Sequence, residues 1–213
     1  MNIKNSRNLI YVPVIHTQAD MGSMSVSLKQ EYVKKFGKGK WQQHVREIDQ
    51  MWEGLRDKIK RLNLDWSRVR VYQDGLPVCG KEKEIIKDLA AQGSKNHEIV
   101  AWLLESGAKI EGTEDAPLLL REYSYIKKLG EAHTKEAQEK ATQEYEDAAA
   151  KLLKNRDTFI KNRIDKTLNK GETGILFMGL LHKVDEGLAD DINVSYLIYR
   201  LPFKRRAEIT QIS

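Results

Sequence analysis

Residues 174–183 read GILFMGLLHK, an apolar run that ends in a glycine and then reaches a histidine. Residues 174–178 are apolar on both faces of an extended chain, which predicts a buried strand in a parallel sheet whose two faces are both covered. Residues 8–16, NLIYVPVIH, repeat this arrangement near the start of the chain. Two buried strands that are each followed by a histidine indicate one shared site at an edge of a sheet.

The rest of the sequence alternates between strand and helix patterns. Further strands are predicted at 68–73, 108–110 and 194–199. Helical spacing of apolar residues is found at 26–36, 45–62, 81–91 and 95–106; in the second of these, Val45, Ile48, Trp52, Leu55, Ile59 and Leu62 form one stripe. This alternation predicts an α/β fold with a mostly parallel central sheet flanked by helices.

Residues 115–155 interrupt this alternation, because they contain no strand pattern. They are rich in alanine, glutamate, lysine and glutamine, which are good helix formers. We therefore expect a long helical excursion or hairpin within a single α/β domain that spans residues 1–213. Its narrow stripe of small residues also makes a homodimer paired through these helices an expectation.

The composition restricts the function classes. The chain has 213 residues, of which 40% are hydrophobic and 31% charged, and its net charge is +5. No apolar stretch approaches the roughly 20 residues needed to span a bilayer. The basic residues are mixed with acids and accompany no recognised nucleic-acid motif, so no nucleic-acid partner is expected. Cys79 is the only cysteine, which excludes an internal disulfide and predicts a cytoplasmic protein.

Polar side chains that follow the predicted strands form the candidate site, because ligands of open parallel sheets bind beyond the carboxyl ends of the strands. These residues are His16, Asp20, Gln73, Asp74, Glu111, Glu114 and His182. Imidazole and carboxylate groups can hold a divalent metal that activates water. Alternatively, a histidine acts as general base and a carboxylate fixes its tautomer. The sequence leaves both alternatives open.

Residues 155–188 form a longer unit around His182. They combine an Arg156-Asp157 pair, a helical stripe, a Gly-Glu loop, an apolar strand and the tetrapeptide Gly179-Leu180-Leu181-His182. This unit resembles the closing segment of the TraB/TIKI/erythromycin-esterase superfamily, which also includes the haem-binding protein ChaN. Residues 12–16, VPVIH, resemble the first histidine motif of that superfamily, and residues 111–115, EGTED, fall where it commonly supplies an acid.

The resemblance implies an α/β fold and a site at the strand ends more firmly than it implies a reaction. Some branches are metal-dependent proteases, others are metal-free esterases, and others are not known to be enzymes. We expect His16 and His182 at the core of the site, Glu111 as the nearest carboxylate, and Arg156 positioning an anionic group or oxyanion. The same His16, His182 and Glu111 would ligate a metal such as manganese, cobalt or zinc.

The sequence therefore carries two hypotheses of different classes. The first is a hydrolase that activates water at the strand ends, assisted by a metal if one is bound, and acts on a small molecule or peptide. The second is a non-catalytic protein that binds or senses a small anionic ligand in the same cleft. Asp20, Gln73, Asp74 and Glu114 are the further ligand-binding candidates in either case.

Overall fold

The computed structural model describes residues 6–14 and 25–199, which form six α-helices around one five-stranded sheet. The strands are β1 (Arg7–Val14), β2 (Val69–Gln73), β3 (Lys109–Glu111), β4 (Thr173–Gly179) and β5 (Ile192–Tyr196). The helices are α1 (Ser25–Phe36), α2 (Lys38–Lys60), α3 (Glu82–Ala91), α4 (Lys95–Glu105), α5 (Ala116–Glu131) and α6 (Lys135–Thr167). The predicted α/β fold is confirmed.

The strands lie in the order β3-β2-β4-β1-β5, and every neighbouring pair is parallel. The two runs that are apolar on both faces, β1 and β4, pair with each other at the centre of the sheet. This position explains their composition, because helices or loops cover both faces there. Pro13 is tolerated inside β1 because pairing with β5 ends at Tyr11, so Pro13 has β4 alone as a neighbour.

Different elements cover the two faces of the sheet. Helices α2, α3 and α4 pack on one face, and the predicted stripe on α2 supplies buried Ile48, Trp52, Leu55 and Ile59. Helix α6 packs on the other face through Ile160 and Ile164, together with the connection from β4 to β5. The carboxyl ends of all five strands therefore form one edge, with α6 beside it.

The middle of the chain is a helical hairpin that consists of α5 and α6. Its outer part is joined by contacts between Tyr125 and Tyr145, whose ring centroids are 6.1 Å apart, and between Lys128 and Glu144 at 2.8 Å. Helix α6 continues for 33 residues without interruption. Its second half turns buried side chains toward the sheet, so one helix extends from the exposed hairpin into the core.

The end of the described chain differs from the sequence-based expectation. Strand β5 ends at Tyr196, whereas the pattern predicted a strand over 194–199. The chain then crosses α2, where Lys58 donates a hydrogen bond to the carbonyl of Ile198 at 2.8 Å. The Tyr199 ring lies against Gly54, and a Cβ there would approach the ring to 2.3 Å. Packing on α2 thus outweighs the strand propensity of these residues.

No helix in the described part of the chain combines the length and the hydrophobicity needed to cross a membrane.

We predict that Gly174→Ala lowers the free energy of unfolding by about 1–3 kcal/mol, because an added methyl group overpacks the core. A Cβ at this position would lie 2.7 Å from Leu9 Cδ1 and 3.2 Å from Tyr72 Cε2. Gly130→Ala on α5 is the matched control, since nothing lies within 4 Å of its Cβ position. Urea denaturation measures both variants, and equal effects would contradict this description of the core.

Candidate functional site

Three acidic or imidazole side chains that follow different strands meet at the carboxyl edge of the sheet. Asp74 directly follows β2, Glu114 follows β3 after a short connection, and His182 follows β4. One potential ligand atom from each lies within 4.8 Å of those from the other two. The edge predicted from the sequence therefore brings Asp74, Glu114 and His182 together.

Backbone hydrogen bonds hold the loops that carry these side chains. The amides of Thr113 and Glu114 both donate to the carbonyl of Leu76 at 3.0 Å, which joins the loop after β3 to the loop after β2. The Gly179 amide at the end of β4 donates to Asp74 Oδ2 at 2.9 Å. The positions of the carboxylates are thus fixed by the chain ends of three adjacent strands.

Arg156 of α6 is the cation at the centre of this cluster. Its Nε and Nη2 bind Glu114 in a bidentate pair, with both distances 2.6 Å. Nη2 also donates to Asp74 Oδ1 at 3.0 Å, and Nη1 donates to Glu122 of α5 at 2.6 Å. Arg156, Asp74 and Glu114 are at least nine-tenths buried, so charge pairing is essential here.

Asp157, the next residue on α6, orients His182. The Asp157 Oδ1 lies 2.5 Å from His182 Nδ1, and the Asp157 Oδ2 accepts a hydrogen bond from the Lys183 amide at 3.0 Å. Both side chains are buried. The opposite ring nitrogen, Nε2, faces Asp74 Oδ1 at 3.8 Å. Asp157 and His182 therefore form an acid–histidine pair whose second nitrogen is directed into the cluster.

Among the described residues, the cluster contains more negative than positive charge. Asp74, Glu114, Glu122 and Asp157 supply four carboxylates, whereas Arg156 supplies the one guanidinium that binds three of them. Burial raises the pKa of Glu114 above its ordinary value; Arg156 opposes this rise and Asp74 adds to it. Burial acts to lower the pKa of Arg156, but the surrounding carboxylates outweigh burial and raise it. The guanidinium therefore stays charged.

Tyr11 of β1 borders the same cluster. Its hydroxyl lies 3.5 Å from the carbonyl oxygen of His182. Burial raises the pKa of Tyr11, and the carboxylates of Asp185, Asp157 and Asp74 add to this rise. The phenol therefore stays neutral and remains a hydrogen-bond donor. Nothing in the sequence distinguishes Tyr11 from any other aromatic residue of a buried strand.

Glu111 does not reach His182 in the structure, although the sequence led us to expect it as the nearest carboxylate. It forms ion pairs with Arg70 and, at 3.5 Å, with Arg163. Within β3, Glu111 is opposite Tyr72 and therefore faces α6 below the edge of the sheet. Glu114 occupies the position near His182 that we expected for Glu111, because the chain needs three further residues to pass the end of β3.

The remaining sequence-based candidates have different positions. Gln73 is buried; its Nε2 donates to the carbonyl of Asp74 at 3.3 Å, and its Oε1 has no hydrogen-bond partner among the described residues. His16 and Asp20 lie outside the described residues. Glu122 and Asp157 were missed as site residues. Asp157 could have been found from the Arg-Asp pair, whereas Glu122 has no local signal because it comes from the partner helix of the hairpin.

A metal ion would find oxygen and nitrogen donors of suitable type at Asp74, Glu114 and His182. The positions of these donors fit a divalent cation, but Arg156 already hydrogen-bonds both carboxylates. A dication at this place would lie close to the guanidinium and would be repelled by it. Asp74, Glu114 and His182 can therefore hold a metal ion only if the Arg156 side chain moves away.

We predict that Arg156→Met lowers the free energy of unfolding by about 3–5 kcal/mol at neutral pH, because it leaves buried carboxylates without a counter-charge. Arg121→Met is the matched control, since Arg121 is an exposed arginine of α5. Chemical denaturation of both variants measures the effect. A loss below about 1 kcal/mol for Arg156→Met is typical of surface ion pairs. It would contradict the role of Arg156 as the buried counter-charge of several carboxylates.

The same variant has an expected pH dependence. A carboxyl whose pKa is raised by folding destabilises the native state when it ionises, and this penalty disappears as the pH falls. Loss of Arg156 raises the pKa of Glu114 further. The stability difference between wild type and Arg156→Met should therefore narrow from about pH 8 to about pH 5, and a constant difference would argue against this cause.

Comparisons of the chain with protein-family models, with curated proteins and with solved structures found no match. The resemblance to the TraB/TIKI/erythromycin-esterase superfamily therefore stays a prediction.

Proposed function

We propose that the protein is a hydrolase in which His182 acts as the general base that activates water. The observation that carries this proposal is the 2.5 Å contact between His182 Nδ1 and Asp157 Oδ1 at the carboxyl edge of the sheet. A carboxylate that accepts a hydrogen bond from Nδ1–H fixes the tautomer in which Nε2 keeps its lone pair. His182 is thereby prepared to accept a proton at Nε2.

The surroundings of Nε2 support this role. The distance of 3.8 Å from Nε2 to Asp74 Oδ1 is too long for a direct hydrogen bond, but one water molecule can bind both atoms. Such a water would donate one proton toward His182 and would be oriented by Asp74. These are the two conditions for general-base activation of a nucleophilic water.

Arg156 has a limited capacity for the oxyanion role expected from the sequence. A guanidinium has five N–H donors, and the contacts to Glu114, Asp74 and Glu122 use four of them. One Nη1 donor is left to stabilise a developing oxyanion. We assign Arg156 mainly to holding Asp74 and Glu114 in place, and the neutral Tyr11 hydroxyl nearby already donates its one proton to the His182 carbonyl.

The suspected superfamily agrees with this proposal, because some of its branches are metal-free esterases. The Arg156-Asp157 pair and the Gly-x-x-His unit that carry the resemblance also supply the acid–histidine pair. We propose an ester or amide bond as the reacting group and a small molecule or peptide as the substrate. A cytoplasmic location stays a prediction.

A second candidate is metal-assisted hydrolysis, which the grouping of Asp74, Glu114 and His182 favours. In this form a divalent metal such as zinc, manganese or cobalt would lower the pKa of the reacting water. The chain's own residues would hold the ion after Arg156 turns away. The described carboxylates differ from the predicted ligand set, since Asp74 and Glu114 take the place of Glu111.

The rival class is a non-catalytic binding protein. The excess of carboxylates favours a neutral or cationic ligand over the anionic ligand expected from the sequence, because an anion would be repelled. A homodimer paired through the hairpin also stays a prediction, and the exposed side chains of Leu120 and Tyr123 on α5 are available to it.

We predict that His182→Asn and Asp157→Asn each lower kcat/KM by about 10²–10⁴-fold on chromogenic esters, because general-base catalysis contributes roughly that amount. A panel of activated esters and peptide amides is the assay. His133→Asn is the matched control, since His133 is exposed near the tip of the hairpin. Glu111→Gln tests whether Glu111, rather than Glu114, belongs to the site; this variant should retain activity. Hydrolysis that persists in folded His182→Asn would refute the proposal.

We further predict that chelation leaves this activity unchanged, because Arg156 already supplies the positive charge at the site. Elemental analysis of the purified protein, before and after incubation with manganese, cobalt and zinc, measures the metal content. About one metal per chain, lost in both Asp74→Asn and His182→Asn, would replace the metal-free mechanism by the metal-assisted one. Retention of that metal in both variants would place it at another site.

A further inference from the structure

Two leucines occupy the turn that directly precedes His182. The His182 amide donates to the carbonyl of Gly179 at 3.2 Å, which places Leu180 and Leu181 at the two central positions of a tight turn. The two residues are 51% and 79% exposed. Central turn positions favour glycine, proline, asparagine, aspartate and serine. Two exposed leucines are therefore unfavourable here for two reasons: leucine is not a preferred turn residue, and its apolar side chain is left in contact with water.

A third apolar surface lies beside this turn. The Tyr196 side chain is 54% exposed, its hydroxyl donates to Asp185 at 2.5 Å, and its ring packs on Tyr11 with centroids 5.6 Å apart. Tyr11 in turn contacts the carbonyl of His182. Apolar side chains are thus presented on the turn and on the last strand, at the side of the site where β4 and β5 end.

The charge of the site restricts what this surface contacts. In the part of the chain that the structure describes, the carboxylates around Arg156 outnumber it, so an anionic molecule would be repelled from His182. The turn is followed by Lys183, whose ammonium pairs with Glu186 at 3.5 Å. Within residues 6–14 and 25–199, the turn therefore has no neighbouring cluster of unpaired basic residues of the kind that attracts anionic lipid surfaces.

We infer that the molecule bound at this site carries an apolar acyl, alkyl or aryl group and no negative charge, and that this group packs on Leu180 and Leu181. The inference rests on the proposed function, because it takes the occupant to be the substrate whose reacting bond lies at His182. The Cα atoms of Leu181 and His182 are about 3.8 Å apart, so the exposed turn and the imidazole belong to the same end of β4. The substrate class is a neutral or cationic ester or amide with an apolar group.

Equilibrium binding of simple alkyl probes tests this inference without any turnover. Calorimetry with butyl-, hexyl- and octyltrimethylammonium should show Kd falling about twofold per added methylene, since full burial of a methylene corresponds to about fourfold and these leucines bury it partly. The double variant Leu180→Ser/Leu181→Ser should abolish this dependence on chain length. Octanoate should bind at least about tenfold more weakly than octyltrimethylammonium because of its charge.

Leu120→Ser is the matched control, because Leu120 is 68% exposed on α5 and belongs to no part of the site. It should leave the chain-length dependence unchanged. The inference is overturned if chain length has no effect, if Leu120→Ser acts like the turn variant, or if octanoate binds more tightly. Sedimentation with phosphatidylcholine vesicles that depends on Leu181 would also overturn it, because a lipid surface would then be the occupant.

Ester hydrolysis measured in parallel separates this inference from the proposed function. If no ester is hydrolysed in a His182-dependent manner but the alkyl series still binds through the leucines, the proposed function fails and apolar recognition stands. If hydrolysis depends on His182 while acyl chain length and the leucines have no effect, the proposed function stands and this inference fails.

Discussion

The buried ion pair between Arg156 and Glu114 is the interaction on which the site depends. Its two short contacts join α6 to the end of β3, and the same guanidinium reaches Asp74 after β2 and Glu122 on α5. A charge inside a protein is costly unless it is paired and hydrogen-bonded. Four separate parts of the chain must therefore fold correctly before any one of them is stable at this edge.

Two adjacent residues of α6 contact different parts of the site. Arg156 binds the carboxylates of the strand ends, and Asp157 binds His182. The side chains of adjacent residues on a helix point about 100° apart. One turn of α6 therefore contacts both the carboxylates at the strand ends and His182. This explains why an Arg-Asp pair, rather than either residue alone, belongs with the histidine.

The fold could be predicted from the sequence because its signals are local. Apolar runs at β1 and β4, the stripe on α2 and the helix-forming composition of α5 and α6 each depend on short stretches. The site was predicted only in part. Asp74 follows β2 directly and His182 follows β4 after a two-residue turn, whereas the choice between Glu111 and Glu114 depends on how far the chain continues past β3. Asp157 and Glu122 join the site through the packing of helices, which no strand-end rule describes.

The uninterrupted length of α6 has a mechanical consequence. Arg156 lies twenty-one positions after Lys135, which corresponds to about 32 Å along a helix. A helix bends little over this distance, so its outer end and its buried end move together as a rod. A tilt imposed at the tip of the hairpin is thus transmitted to Arg156 and Asp157, and through Asp157 to the orientation of the His182 ring.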